Sequence, residues 1–96
     1  MATSTTTLRD TDYSRELARA SVLVKDAKED NEEARVERLE IKETGSVEIR
    51  FSWWRAGRIT NRPLDLTEND LLALLKEAIA KDVFSANFAI ELRKLL

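Results

Sequence analysis

Ninety-six residues suit one small domain, and a hydrophobic fraction of 43% suffices to build a core, although so short a chain buries a modest share of its surface. Charged residues make up 35% of the chain but sum to only −2, which argues against a generally basic nucleic-acid binder. Cysteine and histidine are both absent. That excludes disulfides, thiolate metal sites, a Ser-His-Asp triad and the commonest general base.

From the amino terminus, Met1 to Thr7 is polar and threonine-rich, with no apolar run of the kind a signal peptide carries. Residues 1–11 are expected to be a disordered tail, and 12–96 a single α+β domain of cytoplasmic location. Residues 12–34 support two readings. Tyr13, Leu17, Ala20, Val24 and Ala27 recur at helical spacing, whereas Ala20, Val22 and Val24 alternate as a strand does. The preferred reading is a short helix near 13–19, a strand near 20–26 and a turn around Asp30-Asn31. Its rival is one helix from 13 to about 33.

Leu39 and Ile41, then Val47, Ile49, Phe51 and Trp53, alternate with polar residues and predict two strands of an antiparallel hairpin. A three-residue loop, Thr44-Gly45-Ser46, pairs Ile41 with Ile49 and Leu39 with Phe51, keeping apolar residues on one face. Ala56-Gly57 marks a second turn, followed by a strand near Arg58 to Asn61 that Pro63 confines to an edge or an end. Thr67, with Glu68 and Asp70 behind it, caps a helix over 68–81, and Ser85 caps a last one. The expected fold is α+β: a three- or four-stranded antiparallel β-meander with two C-terminal helices packed on one face. Its expected core is Leu39, Ile41, Val47, Ile49, Phe51, Trp53, Leu64, Leu66, Leu71, Leu74, Leu75, Ile79, Phe88 and Leu92.

No motif for catalysis or for a cofactor emerges, and none of either is expected. With only Gly45 and Gly57, no glycine-rich loop cradles a phosphate. The acids Asp26, Glu29, Asp30, Glu32 and Glu33 lack the ligand spacing of a calcium loop and read as a solvated face, as does the carboxylate pair Glu40 and Glu48. The informative asymmetry is the segment 49–64, which carries Arg50, Arg55, Arg58 and Arg62 without one acid. Within it Trp53 belongs to the apolar face and Trp54 to the polar face, beside Arg50. Trp54 and these four arginines are therefore the expected binding residues. A protein partner or self-association is the first expectation, because tryptophan and arginine dominate binding hot spots. Single-stranded nucleic acid or RNA, with bases stacked on Trp54, is the alternative, and no membrane contact is expected. A competing structural reading places Trp54 under the arginine stems or the N-terminal segment, as an extension of the core.

The order of elements carries two resemblances. A β-meander followed by a helix is similar to the single-stranded-DNA-binding transcriptional coactivators. With residues 13–33 as one helix, the order α-β-β-β-α resembles a double-stranded-RNA-binding domain. The glycine- and lysine-rich helix start of the latter is absent, since Thr67 opens onto Glu68 and Asp70.

Overall fold

Four strands follow one another along the chain, each pairing with its predecessor in an antiparallel meander of order β1-β2-β3-β4. They are β1 (Ser14–Leu23), β2 (Glu32–Ile41), β3 (Val47–Arg55) and the two-residue β4 (Arg58–Ile59). Two helices complete an α+β fold, α1 (Glu68–Ala80) and α2 (Ala86–Leu95). The structure, a computed structural model, describes residues 7–24 and 32–96. The expected turn at Asp30-Asn31 and the expected tail residues 1–6 lie outside the described residues.

Residues 14–23 form a strand, in place of either helix expected there. Between Glu16 and Ala18 the register with β2 shifts by one residue, a β-bulge at Leu17. The inserted residue places Glu16 and Arg19 on the same face, which three-residue spacing in a regular strand forbids. It also breaks the alternation of apolar side chains. That break produces the helix-like spacing of Tyr13, Leu17 and Ala20. Residues 7–11, expected in the tail, fold back along β1: Asp10 bridges Arg15, and the Glu16 amide donates to the Arg9 carbonyl at 2.8 Å.

The β2–β3 hairpin departs from the expected register. Leu39 stands opposite Glu48, Arg38 opposite Ile49 and Val36 opposite Phe51. The connection spans Lys42 to Gly45, closed by Gly45 N–H donating to Ile41 O at 2.7 Å and Ile41 N–H to Ser46 O at 2.8 Å. Gly45 sits at φ 73°, the left-handed conformation that glycine adopts without strain. The expected register assumed that only one face of the sheet is buried. Here both are. Leu39 and Ile41 are buried on the face that carries Trp54, whereas Ala34, Val36 and Trp53 are buried on the other.

That second face carries the helix. Ala20, Ala34, Val36, Trp53, Leu74, Ala78 and Val83 form its buried cluster. The alanines on β1 and β2 let α1 approach closely, and α1 lies over these two strands. Both predicted helix caps are present: Thr67 Oγ1 accepts from Asp70 N–H and Ser85 Oγ from Phe88 N–H, each at 3.1 Å. The end of α1 is closed by Asp82 at φ 58°, with Val83 N–H donating to Ala78 O at 3.0 Å and Asp82 N–H to Ile79 O at 3.3 Å. This pairing satisfies the last carbonyls and drives Val83 into the core against Ala78.

Because α1 spans β1 and β2, it leaves the Val47 to Phe51 part of β3 uncovered. Val47, Ile49, Phe51, Leu71, Ile79 and Phe88, all expected in the core, are exposed.

The β3–β4 turn gives the first test. Ala56 and Gly57 both have positive φ, 50° and 77°, as a two-residue hairpin turn of type I′ requires. Alanine pays a steric penalty there that asparagine largely avoids. Ala56→Asn is expected to raise stability by about 1 kcal/mol in chemical denaturation. An unchanged midpoint would show that this turn stores no strain.

Candidate binding surface

The five arginine and tryptophan residues singled out from the sequence are divided between the two faces of the sheet. Arg50 and Trp54 lie on the face away from the helices, with β2 residues Glu33, Arg35 and Glu37. Arg55 and Arg62 approach Glu32 on the helix side, and Arg58 stands opposite Arg55 in the β3–β4 ladder.

Trp54 is covered, with 1% of its surface exposed. The Arg35 guanidinium stacks 3.8 Å from its ring centroid and that of Arg9 lies at 4.9 Å, so both an arginine stem and the N-terminal segment close over it. Its indole N–H donates to Ser52 Oγ at 2.7 Å. Ser52 Oγ in turn donates to Glu37 Oε1 at 3.4 Å.

Glu37 is the centre of this face. It is fully buried, and its Oε1 also accepts from Arg50 Nε and Nη2 at 3.0 and 2.8 Å. Glu16 lies beside it, gripped by Arg19 Nε and Nη2 at 2.9 and 2.7 Å and by the Arg9 amide at 3.0 Å. Burial raises the pKa of Glu37, and the neighbouring Glu16 carboxyl group raises it further; Arg50 opposes both. Burial would push Glu16 up as well. Hydrogen bonds from Arg19, Glu37 and the Arg9 amide overcome this and hold it at about 2. Glu37 Oε2 has no conventional hydrogen-bond partner among the described residues, as expected of an oxygen facing a second carboxylate.

Most of the arginines have an acid. Arg50 engages Glu37, Arg35 engages Glu33 at 2.6 Å, Arg15 engages Glu40 at 2.6 Å, and Arg55 engages Glu32 at 2.7 Å. Glu32 is buried, and its pKa is lowered chiefly by the hydrogen bond from Arg55. Glu40 thus faces Arg15 on β1, and its partner on β3 is Val47 rather than Glu48. Of the acidic cluster near residue 30, Asp26, Glu29 and Asp30 lie outside the described residues.

The surface missed by the sequence reading is the outer edge of β3. Its neighbour β4 pairs only with Trp54 and Arg55, and Thr60 N–H donates to Trp53 O at 2.8 Å. From Val47 to Ser52 no strand of the described residues lies alongside on the side away from β2. Ile41 N–H donates to Ser46 O, which turns that carbonyl towards β2, and Trp53 O, accepting from Thr60 N–H, turns outwards. Alternation then turns the amides and carbonyls of Glu48, Arg50 and Ser52 towards β2, and those of Val47, Ile49 and Phe51 outwards. These three residues also present apolar side chains, 45%, 39% and 45% exposed, on the helix side of the sheet. Two hollows extend that strip. One, of about 480 Å³, is lined by Phe51, Leu64, Asp65, Leu66 and Leu71. The other, of about 230 Å³, is lined by Arg38, Val47, Ile49, Phe84, Ser85 and Phe88. The helical spacing of Leu71 and Phe88 and the alternation along β3 pointed to apolar faces. What no local pattern encodes is that α1 leans on β1 and β2, leaving Val47, Ile49 and Phe51 of β3 bare.

Among the described residues, no group of three or more acids is arranged to hold a metal ion, and no helix is long and apolar enough to cross a membrane. Comparison with known protein families, with curated proteins and with solved structures finds no match to this chain.

Proposed function

We propose that this chain is a non-enzymatic protein-binding module that accepts an extended strand of a protein partner along the outer edge of β3. One observation carries the reading: Val47, Ile49 and Phe51 combine outward-facing backbone groups with exposed apolar side chains. Strand addition uses both, with ladder hydrogen bonds for affinity and alternate side chains for selectivity. Soluble proteins usually protect an open edge with lysine, proline or an inward charge. Along the helix side of β3 the sequence Val47, Ile49, Phe51, Trp53 carries none of these.

The proposal keeps a protein partner as the function but moves its contact from Trp54 to the neighbouring edge. Nucleic-acid binding has less support. A stacking platform needs an exposed ring, and Trp54 is covered, while Arg50 and Arg55 are engaged by buried glutamates.

A synthetic peptide of alternating threonine and valine, titrated into ¹⁵N-labelled protein, provides the test. The expected result is shifts and slowed exchange at the amides of Val47, Ile49 and Phe51, with the inward amides of Glu48 and Arg50 less affected. Changes centred on Arg9 and Trp54, or no changes at all in protein that sedimentation shows to be monomeric, would remove the edge as the contact surface.

A further inference from the structure

We infer that the strand β3 accepts is β3 of a second copy, in one register: an antiparallel pair with its two-fold axis at Ile49. The inference rests on strand addition at this edge and adds the identity of the partner.

The register follows from the sequence of the strand. A two-fold pairing of β3 with itself through its outward groups sets odd-numbered residues opposite odd-numbered ones, in hydrogen-bonded pairs. With the axis at Ile49, Val47 faces the partner's Phe51 and Ile49 faces its own copy. On the other face Glu48 then falls opposite the partner's Arg50, and Ser46 opposite the partner's Ser52. Both Glu48–Arg50 contacts are opposite-charge cross-strand pairs, the favourable kind, with the partly exposed Arg50 side chain shared between buried Glu37 and the incoming Glu48. Moving the axis one residue either way reverses this. Centred on Glu48, the pairing sets that carboxylate against its copy; centred on Arg50, it sets two guanidinium groups together. Neighbouring registers are thus selected against by like charge, and the Ile49 register is selected for.

The hollows beside the strand agree. Arg38 lines the one at the Val47 and Ile49 end and donates to the Val83 carbonyl at 3.3 Å. Asp65 lines the one at the Phe51 end. Neither has an ion-pair partner among the described residues. Rotation about Ile49 brings the Phe51 end of one copy beside the Val47 end of the other. Asp65 of each copy then approaches Arg38 of the other, and the two apolar strips join into one.

The test uses the absence of cysteine from the chain, so that one substitution adds one thiol. Hydrogen-bonded antiparallel neighbours have Cα atoms about 5.5 Å apart, within disulfide reach. Ile49→Cys, oxidised with diamide, is therefore expected to give a covalent dimer. Val47→Cys is not, because the two Val47 positions lie roughly 13 Å apart along the strands. Val47→Cys mixed with Phe51→Cys should cross-link between the two variants. Sedimentation of the unmodified chain should give twice the 11.0 kDa protomer mass. Ile49→Lys, checked for folding by circular dichroism, should give the monomer. Glu48→Lys should weaken the dimer about tenfold.

A chain that stays monomeric at high micromolar concentration overturns the inference. If the threonine–valine peptide still shifts the Val47, Ile49 and Phe51 amides, strand addition stands and only the self-partner falls; if it does not, both fall. A dimer that cross-links through Val47→Cys alone, or that survives Ile49→Lys, overturns the Ile49 register.

Discussion

Trp54→Ala is expected to destabilise the chain by about 3–5 kcal/mol in urea unfolding, the range for removing a large buried aromatic. Several losses contribute at once. The ring is covered by Arg35 and Arg9, so its removal opens a void between the sheet and residues 7–11 and ends two cation–π contacts. It also deprives Ser52 Oγ of its donor at 2.7 Å, loosening the link to Glu37. Trp54→Phe should recover most of the packing but not that hydrogen bond, and so fall between the two. Neither variant changes a residue of the β3 edge strip, so Trp54→Phe should leave association and peptide binding as they are. A Trp54→Ala protein as stable as the original would show that the face away from the helices adds little to the core.

The second large effect is at Glu37. Glu37→Ala is expected to cost about 2–3 kcal/mol, because Arg50, Ser52 and Glu16 all lose a buried partner. Glu37→Gln separates charge from shape: its carbonyl oxygen still accepts from Arg50, and its amide donates to Glu16. The pH dependence has a definite sign. Glu37 titrates above the ordinary carboxyl range in the folded chain, so its stabilisation is full below the unfolded-state value and is lost as pH rises through the raised one. Glu16 works in the opposite sense, stabilising above its ordinary value of 4.5 and losing that contribution as pH falls towards about 2. Thermal melts across pH should therefore show the original chain losing stability relative to Glu37→Gln as pH rises. At acid pH the two should converge. Parallel curves would mean that the Glu37 pKa is not raised in the folded chain.

The element types from Val36 onwards were legible because each has a local cause. Alternation marks β2 and β3, the Ala56-Gly57 pair marks a turn, and Thr67 and Ser85 cap the helices as their positions before acidic or apolar runs imply. Register was not legible, because it depends on which residues count as core. Arg35 and Glu37 share a face with Leu39 and Ile41, and sequence patterning scores such residues as exposed. Here they neutralise Glu33 and Arg50 and form the second layer of the core. The same limit hid the first half of β1, whose buried positions include Ser14 and Glu16, and whose bulge at Leu17 disturbs the period-two signal. At the candidate site, the sequence identified the strand and the two-face division of Trp53 and Trp54. The contact surface it indicated differs from the one now proposed, because burial of Trp54 depends on Arg9, far away in the chain, and exposure of β3 depends on where α1 leans.

The brevity of β4 has a consequence for how far assembly goes. The open stretch of β3 runs only from Val47 to Ser52 among the described residues, and a two-fold pairing through Ile49 uses that stretch in both copies. At the opposite end of the sheet, the start of β1 is already occupied by Arg9 and Asp10. Head-to-tail addition would leave an edge free at every step and grow a filament, whereas the isologous pair closes on itself. Through the β3 edge, the proposed pairing would therefore stop at two copies and eight strands.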